Sequence, residues 1–262
     1  MNRFLILAAL AATAGSASAT VRINEVFINP PGTDNGFEFF ELKGAANESL
    51  SNLWLICIEG DSSGTQAGTV DQAISLTGFS CGSNGLFLQR DAAGVLSPAP
   101  DAATTIRVLD INPDFENGSN TYMLVSGFTG AVGNDLDSDN NGTLDGAMPW
   151  GSVLSSIALL ENDGPTTNFG YAAQFGGVNF GPQAGFNADA FVYGTDGLYY
   201  GMDVLGTNPG PYTFDTPRMA DQTGALVAVD GNLTPGSENV IPTPGSLALL
   251  SVGSMVALRR HR

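Results

Sequence analysis

Histidine is almost missing from this chain. Among 262 residues there is one, His261, beside the last. Serine–histidine and cysteine–histidine nucleophile pairs are thereby excluded from the body of the protein, as are histidine-rich zinc sites. Lysine is equally scarce, with Lys43 alone, so a serine–lysine pair has one candidate and no supporting motif. Basic residues number nine against 26 acidic ones, for a formal net charge of −17. Such a surface repels phosphate backbones and anionic lipid, so no nucleic-acid partner is expected. It attracts cations, calcium foremost among the hard ones. Two cysteines, Cys57 and Cys81, are too few for a cysteine-only zinc site. If the chain is exported, their even number favours a disulfide; the other reading is a pair of buried thiols. No stretch keeps an amphipathic helical period beyond about two turns.

What is present begins at the ends. Asn2 and Arg3 precede an apolar run from Phe4 to Ala12, and Ala17-Ser18-Ala19 follows the small-x-small cleavage rule. The run is too short to span a bilayer, which takes about 20 apolar residues. Residues 1–19 therefore read as a signal peptide for signal peptidase, with the mature chain starting near Thr20. At the other end, Pro242-Thr243-Pro244-Gly245 breaks the chain. An apolar stretch from Ser246 to Leu258 follows, then Arg259, Arg260, His261 and Arg262. The arginines would stay on the cytoplasmic side of a membrane. Residues 240–262 resemble a PEP-CTERM sorting tail, with Thr243 where that family has Glu. The resemblance implies transient membrane contact, cutting by an exosortase-like enzyme, and delivery to the cell surface or beyond. A plain C-terminal anchor is the alternative.

Between the ends, only Arg22, Lys43, Arg90, Arg107 and Arg218 remain as basic residues against all 26 acids. The hydrophobic fraction, 43%, is too high for a disordered chain. A low charged fraction, 13%, with 34 glycines points instead to short strands joined by polar turns. Strands are predicted at 21–28, 37–42, 53–58, 73–76, 86–89, 106–109, 122–125, 153–160, 190–193 and 225–229. Many short strands at this spacing predict an all-β sandwich. Residues 169–212 are rich in aromatics, from Phe169 and Tyr171 to Tyr199, Tyr200 and Tyr212. Aromatics on loops can stack on sugar rings, but more often fill small cores beneath long loops.

The opening carries a second resemblance. Val21-Arg22-Ile23-Asn24-Glu25-Val26, the turn Asn29-Pro30-Pro31-Gly32, and Phe37-Glu38-Phe39-Phe40-Glu41-Leu42 are similar to the start of the lamin tail domain. Leu50-Ser51-Asn52-Leu53-Trp54-Leu55 continues the pattern, and Thr234-Pro235-Gly236-Ser237-Glu238-Asn239 matches its close. The resemblance implies one immunoglobulin-like β-sandwich over residues 20–239, with long loop insertions and no catalytic centre. It also implies that Glu25, Glu38 and Glu41 set local hydrogen bonds rather than bind or catalyse.

One insertion carries chemistry. Residues 135–145 read Asp-Leu-Asp-Ser-Asp-Asn-Asn-Gly-Thr-Leu-Asp. Calcium takes six to eight hard oxygens, and a short loop can supply several. With Asp137 at loop position 1, Asp139 stands at 3, Asn141 at 5, Gly142 at the sharp turn, Thr143 at the backbone-carbonyl position, and Asp145 at 9. Leu144 would anchor the loop. Position 12 is Met148 rather than Glu, so Glu161 or Asp163 would have to complete the shell. The bland reading is an acidic linker of turn formers.

Three functions follow from the residues. The first is a calcium-stabilised structural or adhesive surface protein that is not an enzyme. The second is a module binding extracellular polysaccharide or other surface proteins through the aromatic loops. The third is a hydrolase using two carboxylates about 5 to 9.5 Å apart in a cleft.

Overall fold

The computed structural model describes residues 21–33, 35–62, 67–91, 97–162, 168–183, 185–239 and 241. The segments read as a signal peptide (1–19) and a sorting tail (240–262) lie, apart from Ile241, outside the described residues. So does Asp163. Among the described residues no helix is long and apolar enough to cross a membrane.

Twelve strands account for nearly all the regular structure: β1 (Arg22–Phe27), β2 (Phe39–Lys43), β3 (Leu53–Glu59), β4 (Val70–Ser75), β5 (Leu86–Arg90), β6 (Thr105–Val108), β7 (Asn120–Ser126), β8 (Ser152–Leu159), β9 (Val178–Phe180), β10 (Ala190–Tyr193), β11 (Tyr199–Leu205) and β12 (Thr213–Asp221). Among the described residues a single 3₁₀ turn, Ala172–Phe175, precedes β9. The strands form a seven-stranded sheet, β12-β11-β10-β1-β2-β5-β6, and a five-stranded sheet, β4-β3-β7-β8-β9. Neighbours are antiparallel except for β5 with β6 and β8 with β9.

Alternation explains how each sheet finds its faces. In β2, Phe40 and Leu42 point to the layer between the sheets, while Phe39 points out. In β3, Leu55 and Cys57 point in, while Ile56 and Ile58 point out. Period-two side chains on opposite faces are what a strand dictates. The inter-sheet core holds Ile23, Phe40, Leu42 and Phe87 from one sheet, and Leu55, Tyr122, Leu124 and Ile157 from the other. The fold is thus an all-β sandwich.

Both outer faces are also covered. On the seven-stranded sheet, Phe27, Phe39, Met202 and Val204 lie beneath Tyr212, Val229, Leu233 and Ile241. On the five-stranded sheet, Ile56, Ile58, Met123 and Val125 lie beneath Phe128, Leu136, Leu144 and Tyr171. Long connections between strands are therefore packed layers, which is why the domain needs so much chain outside its strands.

Nine of the ten predicted strands are present, with shifted ends. The segment 225–229 is not one: it runs as coil, with a single bridge from Leu226 to Ala220. The strand there is β12, whose Pro217 and Arg218 mask the period. Proline is tolerated because β12 is an edge strand. β11 lies hidden in the aromatic-rich stretch, where Gly201 makes room for the Phe180 ring.

The opening and closing segments meet. A bulge between Ile23 and Glu25 sets Asn24 against Glu41, with Asn24 Nδ2 donating to Glu41 Oε1 at 2.6 Å. Glu41 Oε2 accepts the Gly236 N–H at 2.5 Å. Asn239 Nδ2 donates to the Asn24 carbonyl at 3.1 Å, and Thr234 Oγ1 donates to Asn239 Oδ1 at 2.9 Å. Lys43 pairs with Glu238. Residues 234–239 thus form a clasp over β1 and β2.

Candidate metal centre

The acidic loop is built onto the outer face of the five-stranded sheet. Leu136 and Leu144 are buried there beside Ile56, Ile58 and Tyr171, so they pin the loop at both ends of its turn. The Leu136 N–H bonds to the Gly68 carbonyl at 3.0 Å, and the Asp145 N–H returns to the Leu136 carbonyl at 2.6 Å. Gly142 sits at φ +83°, and a Cβ there would lie 2.6 Å from the Phe169 ring. Only glycine meets both conditions at low cost.

Asp137 is the centre of this loop and is fully buried. Its Oδ1 accepts the Asn141 N–H at 3.0 Å, and its Oδ2 accepts the Gly142 N–H at 2.8 Å and the Tyr171 hydroxyl at 2.9 Å. A carboxylate offers about four acceptor positions, so one remains for a cation. Burial, then the hydrogen bond to Asp137, raises the Tyr171 pKa well above the ordinary phenol range, so Tyr171 stays a donor. Asp139 and Asp145 are exposed. One carboxylate oxygen each of Asp137, Asp139 and Asp145 lie within 4.8 Å of one another. Asp145 Oδ2 accepts the Ser138 hydroxyl at 2.8 Å, and Asp139 Oδ2 accepts Asn141 Nδ2 at 2.9 Å. Asn141 and Thr143 are exposed at the rim of the turn.

The structure therefore gathers three of the five expected ligand residues by their carboxylates and keeps Asn141 and Thr143 on the same loop. Glu161 is not brought to this cluster: its Oε1 accepts Asn187 Nδ2 at 3.1 Å. Sequence reasoning missed two supports of the loop, Tyr171 and Gln174. Gln174 Nε2 donates to the Gly142 carbonyl at 3.0 Å, and its Oε1 accepts the Leu144 N–H at 3.2 Å. They stand some 30 residues beyond the loop, and nothing in the local pattern points to them.

The expected disulfide is not formed. Cys57 and Cys81 are free and buried. Cys57 Sγ is engaged with Asn120 Oδ1 at 3.3 Å, while Cys81 lies on a turn whose N–H bonds to the Glu48 carbonyl at 2.8 Å. Burial pushes the Cys81 thiol up to about 11, and burial followed by nearby carboxylates pushes Cys57 well above its usual value. Both are inert packing groups in this fold, the reading that an even count alone could not separate from a bridge.

Most of the aromatic stretch is internal. Tyr171, Phe180, Phe186, Phe191, Tyr199, Tyr200 and Tyr212 are buried, and Phe169, Phe175 and Tyr193 are half-buried. Phe180 stacks edge-on against Phe191, and Tyr193 against Tyr199. Phe175, Tyr193 and Tyr199 do line an open cleft of about 320 Å³, where the Arg22 guanidinium covers the Tyr193 ring at 4.3 Å.

Glu25, Glu38 and Glu41 act within the fold. Glu38 Oε2 accepts the Phe115 N–H at 2.8 Å. Glu25 and Glu41 face each other across β1 and β2, and both are buried. Burial raises the Glu41 pKa to about 8; burial and then the Glu41 charge raise that of Glu25 well above its usual value.

Comparison of the chain with family models, curated proteins and solved structures returned no match. The function is therefore argued from the site alone.

Proposed function

We propose that this chain is an exported structural or adhesive protein of the cell surface or extracellular matrix. In this reading its lamin-tail-like sandwich is stiffened by calcium bound at Asp137, Asp139, Asn141, Thr143 and Asp145, and it has no catalytic role. Signal peptidase and an exosortase-like enzyme process its two ends.

The observation that carries the reading is the convergence of Asp137, Asp139 and Asp145 within 4.8 Å, on a loop anchored by Leu136 and Leu144. Three carboxylates so close repel one another, and a divalent cation removes that repulsion while ordering the loop. The loop covers Ile56, Ile58 and Met123, so ordering it seals one face of the sandwich. The lamin-tail resemblance gains support from the meeting of its opening and closing motifs at Glu41, Gly236 and Asn239. Burial of most of the aromatic stretch favours the scaffold over a polysaccharide-binding module.

The test is a thermal melt of the purified protein with calcium and with excess chelator. At 100 times its Kd, calcium contributes about 2.7 kcal/mol. For a domain of this size that raises Tm by roughly 5–10 °C. Asp139→Ala is the informative variant, because Asp139 is exposed and its carboxylate accepts a hydrogen bond from the exposed Asn141. It should keep the calcium-free Tm and lose the calcium-dependent rise. Equal melting points with and without calcium in the wild-type protein would reduce the loop to an acidic linker.

A further inference from the structure

A second acidic centre lies at the β4 edge of the five-stranded sheet, near where the acidic loop joins it at Thr69 and Val70, but in residues that the calcium loop does not use. One carboxylate oxygen each of Glu59, Asp71 and Glu116 lie within 4.8 Å of one another. They come from β3, from β4, and from the connection leading into β7. Beside them opens a cavity of about 520 Å³ lined by Thr69, Asp71, Gln72, Glu116 and Asn120, among others.

Its walls hold buried oxygens without partners. Gln72 is 5% exposed; its Nε2 is committed to the Pro113 carbonyl at 2.5 Å, and its Oε1 has no hydrogen-bond partner. Asp71 Oδ2 and Thr69 Oγ1 are buried and unpartnered in the same wall. Behind it, the fully buried Tyr122 has an unpartnered hydroxyl. A buried oxygen left unpaired costs about 1–3 kcal/mol, so several facing one cavity need an explanation.

The backbone explains how they converge. The register of β3 with β4 slips between Cys57 and Ile58, so that Cys57 pairs with Gln72 and Ile58 with Val70. Asp71 is the extra residue of this bulge. Adjacent residues on a regular strand face opposite ways, whereas here Asp71 and Gln72 line one cavity. The Glu116 segment is fixed too. Asn120 Nδ2 donates to the Glu116 carbonyl at 2.9 Å, and the Phe115 ring packs edge-on against Tyr122.

We infer that Glu59, Asp71 and Glu116, with the Gln72 side-chain oxygen, form a second divalent-cation site of the calcium class, independent of the 137–145 loop. The donors are all oxygens, hard ligands of the kind calcium takes in sets of six to eight, and the cavity has room for the waters that complete the shell. A cleft for sugar cleavage fits less well. The two carboxyl groups of a glycosidase stand about 5 Å or more apart with the sugar between them. Here the Glu116 carboxyl lies within hydrogen-bonding reach of Glu59.

Equilibrium dialysis against calcium at about 0.15 M salt, which screens loose association with the acidic surface, tests this. The wild-type protein should bind two ions per chain, and Asp139→Ala one. Adding Glu116→Gln to Asp139→Ala should remove that one. Glu116 is exposed, so the substitution spares the fold, which an unchanged circular-dichroism spectrum verifies. Two other results overturn the inference: no calcium left in Asp139→Ala, or calcium there that Glu116→Gln does not displace. One ion lost in Glu116→Gln but kept in Asp139→Ala would support this site while removing the loop reading.

Discussion

The clasp over β1 and β2 makes stability depend on pH in a direction opposite to that of an ordinary salt-bridged carboxylate. Glu41 is fully buried, and its pKa rises to about 8 from a usual 4.5, with burial the leading cause. A glutamate of raised pKa keeps its proton in the fold after the unfolded chain has released it. Its contribution is therefore complete below about pH 4.5 and is lost as pH climbs toward 8. Each such proton costs about 1.4 kcal/mol per pH unit, or about 3 kcal/mol between pH 5 and pH 7. Glu25 adds in the same direction, because two carboxyls that share a buried site cannot both ionise. Glu41→Gln preserves the shape and an acceptor oxygen for Gly236. It removes one of the two protons that the pair holds, whichever residue carries it. Urea unfolding followed by Trp54 and Trp150 fluorescence, at pH 5, 6, 7 and 8 in chelator, measures the effect. At pH 5 the variant should lie within about 1 kcal/mol of wild type. By pH 7 its curve should have fallen by about 3 kcal/mol less. Parallel curves for the two proteins across this range would refute the argument.

Two further outcomes follow from buried groups. Tyr171→Phe removes the hydroxyl that binds Asp137 Oδ2 and should cost about 1.5–3 kcal/mol in urea unfolding, as expected for a hydrogen bond to a charged group. It should also weaken calcium binding at the loop while leaving the Glu116 site untouched, which dialysis of the variant would check. Cys57 and Cys81 should resist a thiol reagent at pH 8 in the native protein and react together in denaturant, with no change in Tm on adding reductant. Rapid labelling of either in the native state would contradict their burial.

The strands were legible where a short apolar run stands between turn residues. In β2 and β3 such runs identify the element but not its inner side, because Phe39, Ile56 and Ile58 are buried on the outer faces as well. They failed where another rule prevailed. β12 holds Pro217 and Arg218, acceptable at an edge but misleading to a periodicity search, and β11 holds Gly201 because an aromatic ring occupies the space above it. The acidic loop was legible because its carboxylates are close in sequence and recur at alternate positions. Glu59, Asp71 and Glu116 were not, since a bulge and a long connection bring them together. Cysteine counting misled because parity says nothing about where two thiols sit in a fold.

The place of β1 sets the order in which the protein can be assembled. It lies in the interior of the seven-stranded sheet, between β2 and β10. Glu25 pairs with Glu41 on one side and with Val192 on the other, a partner far along the chain. The clasp over it arrives later still, with Gly236 and Asn239. β4 joins β3 and β8 joins β7 nearer in sequence, and β3 meets β7 well before β10 appears. As the chain emerges from a ribosome or a translocation pore, the five-stranded sheet can form early. The first strand must wait, with one edge open, for β10 to appear. Such non-local closure is slow. Until then the waiting edge is a place where another molecule can pair.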